Sequence, residues 1–396
     1  MRDFIYHSTT KIVFGKGEEA HAGREVKTFG GTKALLHYGS GSVVRSGLLE
    51  KVKKSLEEAG VQYITLGGVT PNPVLSLVRK GIEMCIAEKV DFILCVGGGS
   101  VIDSGKAIAL GAARPGIDVW DEYFEKKNPL EYALPVGSVL TIAASGSEMS
   151  AFDVITNEDG YLKKGINGDC IRPKFAILNP ELMATLPRFQ AACGVSDIMM
   201  HTIERYFSPV SGNDMSDAIA VALLKVVKKH GIDFWKDPSN YDAASEIMWA
   251  GSLSHNDITG LGGVKDFAVH QIGLELSGMF NVAHGASLTA VWDSWAKYTY
   301  GPNKKRFAKY AVDVWDIPDT GDDEKTALSG ISATENFFKS LDMPVSLSQI
   351  GLGDITDETI DELAEKCTYF GRRTIGSIMK LGKEDIKAIY KMARAK

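Results

Sequence analysis

The five cysteines, Cys85, Cys95, Cys170, Cys193 and Cys367, are scattered, with no pair at CxxC spacing and an odd one left over. Neither a disulfide framework nor a thiolate-ligated zinc is indicated, and a reducing, cytoplasmic setting is expected. Long apolar runs are missing too. The best, AIAVALLKVV, is too short to span a bilayer and carries Lys225, and the opening MRDFIYHSTTKIVFG has no basic region leading into an apolar stretch. No membrane role is expected. Basic clusters are also absent, and the net charge of −6 opposes nucleic-acid and anionic-lipid surfaces. Without internal repeats or low-complexity tracts, a solenoid is not expected.

What is present is ordinary globular composition, with 44% hydrophobic and 24% charged residues over 396 positions. That length exceeds the usual single core, so two domains are expected. KALLHY (33 to 38), VQYITL (61 to 66) and DFILCV (91 to 96) read as buried strands, each followed by Gly or Pro and then by a helical pattern. Their spacing is that of βαβ units and predicts a parallel, helix-covered sheet. ALPVGSVLTIAA and FAILN are further strand candidates. Beyond LPRFQAACG the apolar residues recur at helical spacing, as in DAIAVALLKVVKKH and DETIDELAEKC. The expected architecture is an α/β domain over 1–187 and an all-α domain over 188–396, divided near Pro187.

DFILCV runs into Gly97, Gly98, Gly99 and Ser100 and then into a helical segment. Such a junction points main-chain N–H groups and the positive helix end at an anion, for which a pyrophosphate is the natural guest. A tight turn would use the same glycines. The first βα junction, GSGSVVRSG from Gly39, gives G-x-G-x-x-V, and the second strand ends in Leu66-Gly67-Gly68 where an acidic residue would hold the ribose hydroxyls. An ordinary dinucleotide fingerprint is therefore absent. With no carboxylate to repel a 2′-phosphate, and Ser40 and Ser42 as donors, NADP(H) is favoured over NAD(H). Tyr123 and Lys127 have Y-x-x-x-K spacing, but the charged DEYFEKKNP predicts an exposed segment.

In VSDIMMHTIE, Asp197 and His201 lie four apart and share one helix face, where one ion can be gripped by both. Taken alone, such a pair is more often a core histidine bonded to an aspartate. Of the eight histidines, His7, His21, His37, His230 and His255 lie in terminal, loop-adjacent or polar settings, although His37 and His255 are placed where a ligand could touch them. His270 and His284 lie in apolar context. A continuous helix would hold those two about 21 Å apart, so SGMFN must break it, through Gly278 and Asn281. One Asp with three His suits Zn²⁺ or Fe²⁺, able to polarise a carbonyl oxygen.

VSDIMMHTIE, with His270 and then VAHG carrying His284, resembles the metal-binding pattern of the iron-containing alcohol dehydrogenase family, and GGGSVIDSGKAIAL resembles its cofactor loop. PNPV, TIAASGSE and FAILNPELMATLP match as well, in order over nearly the whole chain. The opening KIVFGKG and the YGSGS loop are most similar to the butanol dehydrogenase and NADPH-dependent aldehyde reductase branch. The resemblance implies a dinucleotide-binding α/β domain and a helical metal domain, the architecture shared with dehydroquinate synthase. It implies Asp197, His201, His270 and His284 as ligands of one divalent metal, and Gly97, Gly98, Gly99 and Ser100 at the pyrophosphate. Asp103, Thr141 and Ser145 would lie near the nicotinamide, Gly39, Ser40 and Ser42 toward the adenosine ribose, Asn72 in the cofactor cleft and Lys163 at the ribose. Small aldehydes and primary alcohols would be substrates, and a homodimer the assembly.

Several positions depart from that pattern: Ile142, Ala144 and Ser145 for Thr, Gly and Thr, Ser150 for a frequent asparagine near the substrate, bulky Phe152 two residues on, and Asn179 for an aspartate. Leu274 replaces a second histidine of the branch, so proton delivery would fall to water at the ion or to the cofactor's ribose hydroxyl. A glycerol or polyol dehydrogenase is the nearest alternative. A sugar-phosphate cyclase needs a basic cluster that Arg205 and Lys265 alone do not make, and a non-enzymatic dinucleotide binder would keep the Asp/His set as structure. The aromatic Trp249, Trp292 and Trp295 are expected mostly in the core, by their helical spacing.

Overall fold

A computed structural model describes residues 1–395. The chain divides into two compact units, His7–Leu186 and Pro187–Lys396, the second joined by Met1–Tyr6.

The first unit contains, in order, β1 (Lys11–Phe14), α1 (Ala22–Thr28), β2 (Lys33–Gly39), the short α2 (Ser42–Arg45), α3 (Leu48–Glu58), β3 (Gln62–Val69), α4 (Leu75–Ala87), β4 (Phe92–Gly97), α5 (Gly99–Ala112), β5 (Val136–Leu140), β6 (Phe152–Asn157), β7 (Leu162–Asn167) and β8 (Phe175–Leu178). Six strands form a parallel sheet in the order β1-β8-β5-β4-β2-β3. The expected strands are all there. β4 is buried at every residue because helices cover both sheet faces, which is why it reads as an unbroken apolar run. From β2 the chain moves outward to β3, and from β4 it moves outward the other way to β5. The loops after β2 and β4 therefore diverge at adjacent strands, the place where open α/β sheets hold ligands.

β6 and β7 form a separate antiparallel hairpin that the sequence reading did not anticipate. Its strands are short, and LKKGIN carries no alternating apolar signal. The segment around Tyr123 also differs from expectation. Trp120, Tyr123 and Phe124 are buried in one wide helical turn, with the Trp120 and Phe124 rings stacked at 5.2 Å, while Lys127 leaves the turn with φ 58° and donates to the Gly165 carbonyl at 2.8 Å. The apolar spacing within WDEYF outweighs the flanking charge.

The second unit is helical: α6 (Arg188–Tyr206), α7 (Asp214–Lys236), α8 (Tyr241–Ser254), α9 (Ala268–Phe280), α10 (His284–Thr299), α11 (Lys304–Trp315), α12 (Asp323–Ser340), α13 (Asp357–Cys367) and α14 (Lys383–Arg394). α6 is buried from Val195 to Tyr206, so it shows little amphipathic pattern. Trp292 and Trp295 are fully buried beside Phe207 and Phe307, whose rings stack at 4.3 Å, whereas Trp249 is exposed. Residues 1 to 6, expected with the α/β part, belong to this unit: the Met1 amino group donates to the Ser211 carbonyl and the Arg2 N–H to the Gly262 carbonyl, each at 2.9 Å. No helix among the described residues is long and apolar enough to cross a membrane.

Candidate metal centre and dinucleotide loop

Asp197 and His201 sit one turn apart on α6, and the expected break after α9 brings two further histidines to them. Asn281 ends α9 in the left-handed conformation at φ 53°, while Gly278 stays within the helix. His270 then lies in the first turn of α9 and His284 opens α10. Asp197 Oδ1 is 3.4 Å from His201 Nδ1, 3.4 Å from His270 Nε2 and 3.7 Å from His284 Nε2. These separations exceed good hydrogen bonds. They do match the edge of a tetrahedron of donors around one ion, which is about 3.4 Å for metal–ligand bonds of about 2.1 Å.

Asp197 Oδ1, His201 Nδ1 and His270 Nε2 are buried without a hydrogen-bond partner, and donor atoms of these three residues all lie within 4.8 Å of one another. Buried polar atoms normally find partners, so a divalent cation fits this gap. Access from solvent is on the side of His284, whose side chain is 27% exposed against 7% or less for the other three.

Sequence reasoning missed Glu204. It is fully buried, accepts hydrogen bonds from the main-chain N–H groups of Val269 and His270 at 2.7 and 3.3 Å, and pairs directly with His270 Nδ1. Its place seven residues after Asp197, on the same helical face, was the available signal. His255, expected where a ligand could touch it, stacks its ring on His201 at a centroid distance of 4.1 Å. Phe267 stands 5.1 Å from His270 and under the Arg205 guanidinium, at 4.8 Å. His37, by contrast, is fully buried, with its ring nitrogens engaged by the Leu66 carbonyl (2.8 Å) and Ser104 Oγ (2.9 Å).

Burial disfavours charge on both buried imidazoles. At His270 the Glu204 and Asp197 carboxylates overcome it and raise the ring to about 9. At His201 burial, reinforced by His255, His270 and Arg205, holds the ring well below its usual range, in the neutral form a metal ligand requires.

In the α/β unit, Gly98 caps α5, its carbonyl accepting from the N–H groups of Val101 and Ile102 at 3.0 and 3.2 Å, which leaves the Gly99 and Ser100 amides at the open end of the helix. A Cβ on Gly98 would stand 2.3 Å from Ile142, and one on Gly99 2.2 Å from Ser145 Oγ, so Ser145 packs directly on the loop. The Thr141 N–H donates to the Gly97 carbonyl at 3.1 Å. Lys163 Nζ donates to Asn72 Oδ1 at 2.8 Å, joining two residues expected at the cofactor from distant parts of the chain. Ser40 and Ser42 are exposed beyond the end of β2. Asp103 turns inward, accepting from Ser147 Oγ at 2.5 Å and the Val154 N–H at 3.3 Å. Beside it, fully buried Lys106 donates to the carbonyls of Ser147, Ser150 and Phe152 at 2.7 to 2.9 Å, a clamp the sequence reading overlooked.

The iron-containing alcohol dehydrogenase family model matches residues 9–180, and the model for the C-terminal part of that family matches residues 190–394. The chain belongs to this family. Both matched segments carry the features above, the glycine loop in the first and the Asp/His convergence in the second. Among its relatives, NADH-dependent butanol dehydrogenase A of Clostridium acetobutylicum is 36% identical over 99% of each chain. NADPH-dependent aldehyde reductase YqhD of Escherichia coli is 33% identical over the full length of both. The crystal structure of NADH-dependent butanol dehydrogenase A from Thermotoga maritima superposes with a TM-score of 0.94 at 36% identity, covering 99% of each chain.

Proposed function

We infer that this protein interconverts small aldehydes and primary alcohols with NAD(P)H and one divalent metal held by Asp197, His201, His270 and His284. The observation that carries the reading is the convergence of three histidines on Asp197 Oδ1 at 3.4 to 3.7 Å. The names of the full-length relatives, butanol dehydrogenase and aldehyde reductase, support the substrate class. When bound, the ion polarises a carbonyl or alcohol oxygen and the nicotinamide exchanges the hydride.

The residues supply position and charge. Asp197 contributes the one anionic donor beside three imidazoles, and without a thiolate such a set suits a borderline dication, Fe²⁺ or Zn²⁺. Glu204 takes the Nδ1 side of His270 and leaves Nε2 turned to Asp197. Leu274, one turn after His270, is aliphatic and buried, so that position passes no proton. Gly97 to Ser100 and the start of α5 receive the pyrophosphate, with Ser145, Lys163 and Asn72 beside the rest of the cofactor. The absence of a carboxylate at the end of β3 and the NADPH-dependent aldehyde reductase among the relatives favour NADP(H), while the butanol dehydrogenases among them are named for NADH.

The test is oxidation of NADPH and NADH by butanal and other short aldehydes with metal-loaded protein. Turnover that a chelator abolishes and Fe²⁺ or Zn²⁺ restores is expected, and His270→Ala should be folded but inactive. Failure to oxidise either dinucleotide across the aldehydes overturns the reading.

A further inference from the structure

The two buried imidazoles of the metal centre are held in different ways. His270 has its Nδ1 taken by Glu204. No hydrogen bond reaches the His201 ring among the described residues: Nδ1 is without a partner, and Arg205 Nη1 donates only to the main-chain carbonyl of His201, at 2.9 Å. Metal-binding histidines ordinarily donate their second N–H to a fixed acceptor, which sets the plane of the ring. At His201 something else has to set it.

Rings flank it instead. His255, just past the end of α8, lies against His201 at a centroid distance of 4.1 Å with 30° between the planes, and His270 lies at 4.3 Å with 32°. Phe267 backs the group, 6.1 Å from His201 and 6.4 Å from His255. The loop that carries His255 is tied to the part of α6 that carries His201. Asp257, two residues on, pairs with Lys265 and stands 3.7 Å from Arg205 Nη2, and Arg205 is the side chain that bonds the His201 carbonyl. Asn256 is buried, its Oδ1 accepting from the Ile258 N–H at 3.1 Å. A fixed frame therefore delivers the His255 ring to the face of His201.

We propose that His255 positions the metal ligand His201 by stacking on its face, in place of the hydrogen bond that orients His270. The assignment rests on the metal site proposed above. Two physical effects support it. A flat neighbour this close opposes rotation of the His201 ring, so Nδ1 stays turned to Asp197 Oδ1, 3.4 Å away. Coordination leaves the ring partly positive, and a π face against it favours that charge. The second effect operates only with metal bound, so it enters metal affinity and not merely the stability of the fold.

The experiment compares wild type, His255→Phe, His255→Leu and His255→Ala, each stripped of metal. Zn²⁺ affinity is read by chelator competition, the ligand field by the visible spectrum after Co²⁺ addition, and folding by a melting curve without metal. His255→Phe keeps a flat face but has no nitrogen, and it should bind Zn²⁺ within about threefold of wild type with the same Co²⁺ bands. His255→Leu and His255→Ala should bind about tenfold more weakly, with altered bands. Equal affinity in all four proteins, or His255→Leu as tight as His255→Phe, overturns the stacking assignment, because bulk or nothing at all would then suffice. His255→Phe as weak as His255→Ala overturns it too, since a ring nitrogen and not the face would be what counts. In each of those cases the proposed function stands. If wild type binds neither Zn²⁺ nor Co²⁺, the metal site falls, and this assignment with it.

Discussion

Glu204 and His270, 66 residues apart, are joined through the imidazole Nδ1, and the same carboxylate also accepts from the His270 main-chain N–H. One buried group thus fixes both the ring and the start of the helix that carries it. Partners of this kind tune metal affinity by about tenfold to a hundredfold. Glu204→Gln is expected to lower Fe²⁺ or Zn²⁺ affinity by that factor in chelator competition, and to shrink the rise in melting temperature on adding metal. Equal affinity in the two proteins would show that Glu204 only packs.

Gly285 follows His284 and has no room for a side chain. A Cβ there would lie 2.4 Å from the Cys193 carbonyl oxygen and 2.6 Å from its Cα, main-chain atoms of α6 that cannot swing aside. Gly285→Ala must push α10 away from α6 at the point where His284 approaches Asp197. A loss of about 1–3 kcal/mol by urea unfolding is expected, together with weaker metal binding. A variant as stable as wild type that binds metal equally well would contradict this packing.

Lys106 holds the carbonyls of Ser147, Ser150 and Phe152 against α5, with Asp103 and Asp153 nearby. Lys106→Met removes the cation, leaves those carbonyls without their donor and the carboxylates without compensation. Destabilisation of about 3 kcal/mol or more is expected, measured by denaturant midpoint, with weaker dinucleotide binding because the strand-to-loop segment behind Ser145 loosens. An unchanged midpoint would mean that water replaces the ammonium at no cost.

His37 ties stability to pH. Burial lowers its imidazole from 6.5 to about 4, although the hydrogen bond to the Leu66 carbonyl opposes the shift. Between those values the unfolded chain takes up a proton that the folded protein refuses. The contribution of neutral His37 is therefore fully present above pH 6.5 and is lost as pH falls toward about 4. The full loss is on the order of 3 kcal/mol. Urea midpoints across this range should fall less steeply for His37→Gln than for wild type, and parallel profiles would remove His37 as the cause.

Much of the fold was legible. KALLHY, VQYITL, DFILCV and FAILN are strands because an all-apolar stretch of that length, bounded by Gly or Pro, has little choice but the middle of a covered sheet. The Asp197–His201 spacing was legible because i and i+4 share a helix face wherever the helix goes. LKKGIN was not, since its partner β6 and not its own pattern makes it a strand. Tyr123 was read as exposed because the charges around it were weighed and the neighbours that bury it could not be.

The succession of β2, β3, β4 and β5 with the helices between them, the glycine junction after β4 and the missing acidic residue after β3 were determined by the sequence alone, because each depends on residues close to one another along the chain. Tertiary structure alone decided that Glu204 meets His270, that His255 stacks on His201 and that Tyr38 fills the space above Gly67. Periodicity tells which face a side chain is on. What stands opposite that face depends on how separate segments pack, and no local pattern encodes it.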